Sequence, residues 1–171
     1  PMLEPSDSAE ALHFAKLAYE LSERFDTPVL LKMCTRVSHS QSLVETGERA
    51  EHMKEYEKNI AKYVMMPGNA RRRHPVLEQR MKDLAEFAET SPLNRWERGT
   101  EKKLGVITSS TCYQYVREVC GEEVSVLKLG MIWPLPEKML REFCASCERV
   151  IVVEELDPFI EEHCAALGLK V

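Results

Sequence analysis

The sequence contains no uninterrupted apolar run approaching the ~20 residues of a membrane-spanning helix. Pro1-Met2-Leu3-Glu4 has neither the charged start nor the apolar middle of a signal peptide, so the chain reads as cytoplasmic. A basic field is missing too. The formal net charge is -5 and the charged residues, 30% of the chain, are evenly spread, which argues against nucleic acid or an anionic membrane and for protein or small-molecule partners. Gly105 and Gly130 stand isolated, and no strand is followed by a glycine pattern that would cradle a phosphate. The six cysteines (Cys34, Cys112, Cys120, Cys144, Cys147, Cys164) lie scattered among apolar neighbours, the distribution of reduced, buried thiols rather than of a disulfide framework.

What is present suffices for a core. With 171 residues and 44% hydrophobic content, the chain can form one ordinary domain, or a small domain plus an appended segment. It should bury roughly 70% of its unfolded surface. Ser6-Asp7-Ser8 offers helix caps, and Asp7 with Glu10 has capping-box spacing. Ala11, Phe14, Ala18, Leu21 and Phe25 then recur at helical intervals, predicting an amphipathic helix over 7–25. Asp26-Thr27-Pro28 stops it, and the apolar run 29–34 predicts a covered parallel strand. No strand precedes the helix and position 1 is not Met, an opening that reads as that of an excised piece.

Charge-rich sequence follows from Thr46 to Gly99, predicting helices over 48–63 and 76–88 with a break at Met65-Met66-Pro67-Gly68-Asn69. From Lys103 onward strands and helices alternate: strands over 104–108, 124–129 and 150–153, helices over 111–119, 137–147 and 157–167. Gly168 closes the last helix, and Leu169-Lys170-Val171 looks like the start of a fourth strand. This pattern is α/β: a parallel sheet with right-handed βαβ crossovers, preceded by an N-terminal αβ unit and a helical connector. The three parallel strands should share one sheet, with their helices on its faces.

Three clusters invite a chemical reading. Cys144-Ala145-Ser146-Cys147 lies within a helix, lacks a second pair or a nearby His, and reads as packing rather than as a metal or redox centre. Arg71-Arg72-Arg73-His74 has no interleaved aromatics and suits a solvated face or an intersubunit salt-bridge patch. Arg36, Ser38 and His39 follow the 29–34 strand, where open α/β sheets hold ligands, and are the candidate polar cluster. Without an acid, metal or nucleophile beside them they define no reaction, and a structural or domain-interface role is the favoured reading.

Two blocks carry a resemblance. The first runs from Pro1-Met2-Leu3-Glu4-Pro5-Ser6-Asp7-Ser8 through Phe25-Asp26-Thr27-Pro28-Val29-Leu30-Leu31 to Thr35-Arg36-Val37-Ser38-His39-Ser40. The second comprises Leu127-Lys128-Leu129-Gly130-Met131, Pro134-Leu135-Pro136-Glu137-Lys138 and Val150-Ile151-Val152-Val153-Glu154-Glu155-Leu156-Asp157-Pro158-Phe159-Ile160-Glu161-Glu162. In that order they resemble the alpha subunit of indolepyruvate ferredoxin oxidoreductases, within the 2-oxoacid ferredoxin oxidoreductase family. The resemblance implies that 1–48 end a pyrimidine-binding domain, 49–100 form the connector, and 101–171 form a domain similar to the C-terminal domain of transketolase.

For the full-length subunit the resemblance implies thiamine diphosphate, magnesium and iron-sulfur clusters, with an aryl pyruvate decarboxylated oxidatively, coenzyme A taking the acyl group and ferredoxin the electrons. The remaining alpha-subunit domains, a beta subunit and ferredoxin would be its partners, in an oligomer. The family's cofactor-holding motifs have no counterpart here, so no catalytic, cofactor-binding or metal residue is expected on this chain. Met33-Cys34 departs from the family's more polar pattern. A rival reading is a free-standing, noncatalytic interaction module of the same fold; a weaker one is a small redox or metal protein built on Cys144 and Cys147. One further expectation concerns the first 45 residues: the helix stripe and strand would leave an apolar patch, covered by the connector helices or, preferentially, by an intermolecular contact.

Overall fold

The computed structural model describes residues 1–49, 51, 53 and 55–171, with Lys102 described by its backbone alone. In chain order the elements are β1 (Met2–Leu3), α1 (Ser8–Phe25), β2 (Leu30–Leu31), α2 (Thr35–His39), α3 (Ile60–Tyr63), α4 (Pro67–Thr90), β3 (Arg95–Glu97), β4 (Glu101–Ser109), α5 (Cys112–Cys120), β5 (Val124–Leu129), β6 (Met131–Trp133), α6 (Glu137–Ser146), β7 (Arg149–Val153) and α7 (Phe159–Ala166).

The main sheet has the order β3-β5-β4-β7. Strands β5, β4 and β7 are mutually parallel, as the alternation predicts, while β3 runs antiparallel along the β5 edge. Side chains alternate across this sheet because a strand's period is two. Ile107, Leu127, Leu129 and Val150 face α6 and α7 in a cluster with Leu140, Phe143, Ile160 and Cys164. Val106 and Val126 face the other way and close on Val116 of α5. Helices therefore cover both faces, which is why these strands read as nearly continuous apolar runs. Glu89 of α4 completes the packing by accepting the Lys138 and Met139 amides at 2.8 and 2.9 Å, satisfying two of the unpaired donors at the start of α6.

A second, small sheet with the order β2-β1-β6 ties the chain's beginning to its middle. Strand β1 pairs parallel with β2 and antiparallel with β6. The sequence reading places no strand before the first helix; Met2–Leu3 is one, too short to show any periodicity. It also expects a covered strand over 29–34. Only Leu30–Leu31 is a strand, and Leu30 is 56% exposed, because α1 covers one face and nothing among the described residues covers the other.

Helix α1 behaves as its pattern requires. Asp7 caps it, its Oδ1 accepting the Glu10 amide at 2.8 Å. The reciprocal half of the capping box shifts by one residue, since Glu10 Oε2 accepts from the Ser6 amide at 2.8 Å. Phe14 and Leu21 are buried against Leu84 and Ala88 of α4, with Leu3, Leu93 and Met131 completing the cluster. The stripe is thus covered by a connector helix, the alternative that the sequence reading ranks second. Full burial of Phe14 and Leu21 stabilises this docking by ~1.5–3 kcal/mol each.

The connector differs most from expectation. Helix α4 starts at Pro67, with proline in the first turn, and continues past Pro75, so the expected break at 65–69 is its beginning. Pro75 is exposed, which leaves the freed carbonyl one turn back open to water. The helix expected over 48–63 is reduced to Ile60–Tyr63; residues 50, 52 and 54 lie outside the described residues, and their described neighbours from 43 to 61 are exposed and offer no face to bury. Leu169-Lys170-Val171 is not a strand. Gly168, at φ 75°, forms a Schellman cap in which the Gly168 and Leu169 amides bond the carbonyls of Ala165 and Cys164, so Leu169 still belongs to the helix end.

Candidate functional site

The carboxyl ends of β4 and β7 are the position at which parallel α/β sheets hold ligands. Here β4 ends in Ser109 and β7 in Val153, and the residues beyond them frame a cavity of about 580 Å³ with Met2, Ile132 and Trp133 of the small sheet, Glu4 just after β1, and Phe159 of α7. The size is that of a small-molecule pocket. Glu4 is 5% exposed, and its carboxylate accepts from Lys32 Nζ at 2.6 Å and Ser109 Oγ at 2.7 Å. Glu154 turns back on α7 and accepts the Ile160 and Glu161 amides at 2.9 and 3.1 Å, a cap that also suits the positive end of the helix dipole. Ser110 holds φ at 51°, and its buried hydroxyl bears on the Cys34 thiol without closing a hydrogen bond of proper geometry.

Arg36 and Ser38 lie in the short helix α2 and His39 ends it; all three are exposed. They serve different partners: the Arg36 guanidinium sits 5.6 Å from the Tyr115 ring centroid, and Ser38 Oγ donates to the Cys34 carbonyl at 3.1 Å. Neither these side chains nor His39 line the cavity at the strand ends. The residue at the base of this helix is Cys34, whose Sγ accepts the Val37 amide at 3.5 Å and lies 3.8 Å from Thr111 Oγ1. Burial pushes its thiol up, but hydrogen bonds, first that of the Val37 amide, outweigh burial and hold it below the ordinary value. Burial instead pushes the Cys164 thiol up to about 12. Since the thiolate is the nucleophile, iodoacetamide at pH 8 should alkylate Cys34 well before Cys164, checked by peptide mass mapping over a time course.

All six cysteines are free thiols, as read from their distribution, but only Cys112 and Cys164 are buried; the other four are partly exposed. Cys144 is pushed up by burial and by its neighbour Cys147, and no group of three His, Cys, Asp or Glu among the described residues is placed to hold a metal. In the basic cluster Arg71, Arg72 and His74 are exposed, one of the two expected readings, and Arg73 alone reaches another element. Arg73, with Arg80 and Lys62, pairs with Asp26, the left-handed residue that ends α1, so three cations fasten the connector to that helix.

Sequence reasoning missed the charged network between α1 and the main sheet. Lys128, wholly buried on β5, donates to Glu10 of α1, and its ammonium lies 5.0 Å from the Phe14 ring centroid. Glu10 also accepts from Arg95 at 2.8 Å; Arg95 reaches Glu97, and Glu97 pairs with Arg117 and accepts from Tyr113 at 3.0 Å. Burial raises Glu10, but the Lys128 charge and the surrounding hydrogen bonds hold it below the ordinary carboxylate range. Burial drives Lys128 down despite Glu10. The available signal was a lysine inside the apolar run Val124-Ser125-Val126-Leu127-Lys128-Leu129, which a strand covered on both faces must bury.

A three-layered α/β unit with an antiparallel edge strand, an N-terminal αβ unit latched to it by buried charge, and a cavity at the strand ends define the class of fold. No family profile matches the chain. It is 42% identical over 174 aligned residues to indolepyruvate oxidoreductase subunit IorA of Methanothermobacter thermautotrophicus, covering 98% of this chain and 28% of that protein. The IorA subunits of Archaeoglobus fulgidus and Pyrococcus horikoshii are 35% and 38% identical, covering 99% and 95% of this chain and 28% and 27% of theirs. A solved structure of 2-oxoglutarate:ferredoxin oxidoreductase from Magnetococcus marinus, with 2-oxoglutarate, coenzyme A and succinyl-CoA bound, has the same fold over 96% of this chain and 36% of that chain, with a TM-score of 0.61 at 18% identity. The resemblance read from the sequence holds: the chain is a relative of indolepyruvate oxidoreductase subunits. It matches one segment, spanning a little over a quarter of the length of these curated relatives.

The charges at this cavity do not fit the diphosphate of the thiamine cofactor that the resemblance implies for the full-length subunit. Around the cavity the carboxylates of Glu4, Glu154, Glu155 and Asp157 face a single ammonium, that of Lys32, which Glu4 already engages; a diphosphate would meet the wrong charge.

Proposed function

We propose that this chain forms the domain-packing segment of an indolepyruvate ferredoxin oxidoreductase, an enzyme that oxidatively decarboxylates aryl pyruvates to acyl-CoA and reduces ferredoxin. In this reading thiamine diphosphate, magnesium and iron-sulfur clusters are held by other parts of the enzyme. Residues 1–48 belong to the end of the pyrimidine-binding domain, 49–100 are the connector, and 101–171 are the transketolase-C-terminal-like domain. The partners are the remaining alpha-subunit domains, a beta subunit and ferredoxin, in an oligomeric enzyme of the cytoplasm. No helix among the described residues is long and apolar enough to cross a membrane.

The observation that carries the reading is 42% identity maintained across 98% of the chain, spanning both sheets and the connector between them. The pair formed by buried Lys128 and part-buried Glu10 supports a packing role, because it fixes the orientation of α1 on the main sheet. Arg36, Ser38 and His39, all exposed, form in this reading part of the surface that meets a neighbouring domain.

Calorimetric titration of the 171-residue chain with thiamine diphosphate and magnesium tests the noncatalytic assignment. No saturable heat is expected. Binding at micromolar concentration, or turnover of indolepyruvate by the chain alone, would overturn it.

A further inference from the structure

We propose that the cavity at the carboxyl ends of β4 and β7 is a binding site for a small organic amine, an apolar or aromatic body carrying one protonated nitrogen. The cavity, about 580 Å³, is floored by apolar side chains, including Ile132 and Ile160. Trp133 and Phe159, with ring centroids 6.2 Å apart and planes at 60°, stand on its rim about 42% and 41% exposed. Two tilted aromatic faces side by side attract a cation through their quadrupoles and an apolar body through burial.

The charge around the rings favours the same ligand. Lys32 is engaged by Glu4, and Glu154 by the amides of α7. That leaves Glu155 and Asp157, both exposed, and no cation among the described residues pairs with either. The field at the mouth is therefore negative and repels carboxylates and phosphates. Ser110 supplies an independent observation. It lines the cavity and is 3% exposed, and its hydroxyl, beside the Cys34 thiol, closes no hydrogen bond of proper geometry, so its oxygen is open to accept from an ammonium N–H. An aromatic clamp, uncompensated carboxylates and an unsatisfied hydroxyl together select a cation with an apolar body.

The test is a titration of the ¹⁵N-labelled 171-residue chain with 2-phenylethylammonium, followed through the indole resonances of its two tryptophans, assigned with Trp133→Phe. The Trp133 signal should move saturably while that of Trp96 stays. The neutral 2-phenylethanol and the anionic phenylacetate should bind at least about tenfold more weakly. Glu155→Gln combined with Asp157→Asn should weaken the amine by about tenfold and leave the alcohol unchanged, while Ser110→Ala should weaken it by about fivefold. Both carboxylates are exposed, so thermal melts of the double variant should match the parent. Equal binding of amine and alcohol, or a Trp133 signal that never saturates, would overturn the proposal.

Discussion

Glu10→Ala is expected to lower the unfolding free energy by about 3–5 kcal/mol, because it strands the Lys128 ammonium in a site with no solvent contact. In a chain of this size that corresponds to a fall in Tm of roughly 10 °C. Lys128→Met should cost less, since Glu10 retains Arg95 and the Ser6 amide and hydroxyl as partners, and the methionine fills the space against Phe14 without a desolvation penalty. Equal costs for the two substitutions would mean that the pair is not buried as described. The latch also sets an acid limit. Glu10 is held below its ordinary pKa of 4.5, so the stability it contributes is complete above that pH and is lost as pH falls through the lower folded-state value. Urea unfolding at pH 7 and at pH 3 should show a larger loss on acidification for the parent than for Glu10→Ala.

Gly130→Ala is the second large effect, expected at about 1–3 kcal/mol and at the upper end of that range. Gly130 joins β5 to β6, and with them the two sheets. A Cβ there would lie 2.5 Å from the Leu93 carbonyl oxygen and 2.8 Å from Phe14 Cζ. The carbonyl cannot retreat easily, because the Gly130 amide bonds to it at 3.1 Å and Asn94 Oδ1 holds the Gly130 and Met131 amides at 3.1 and 3.0 Å. The substitution should loosen α1 together with the small sheet, visible as faster amide exchange at Leu3 and Met131. Unchanged exchange at both would show that the junction absorbs the methyl group.

The main sheet was legible because its strands are covered on both faces, so burial wrote itself into apolar runs such as Val150-Ile151-Val152-Val153. Helix α1 was legible for the complementary reason: one face buried, one capped start, one proline after its end. The small sheet was not. Its strands are two or three residues long, and Met2 finds Leu30 and Trp133 through pairings that only tertiary structure brings together. The connector misled because propensity favours helix over 48–63 while the described residues there gain no burial to hold it. At the sheet end, the sequence pointed to Arg36, Ser38 and His39 by their place after a strand. The cavity instead gathers Glu4, Ser109, Ser110, Trp133 and Asp157 from four separate stretches, none of which announces itself by spacing.

The most direct test of the packing role is a chimera. The matching segment of the Methanothermobacter thermautotrophicus IorA subunit is replaced by this chain and expressed with its partner subunit, with and without Arg36→Ala, Ser38→Ala and His39→Ala, and ferredoxin reduction with indolepyruvate is measured. Both chimeras are predicted to be active once assembled. An assembled chimera without activity, or one whose activity disappears with the three alanines while its assembly is unchanged, would contradict a segment that packs domains and leaves the chemistry to others.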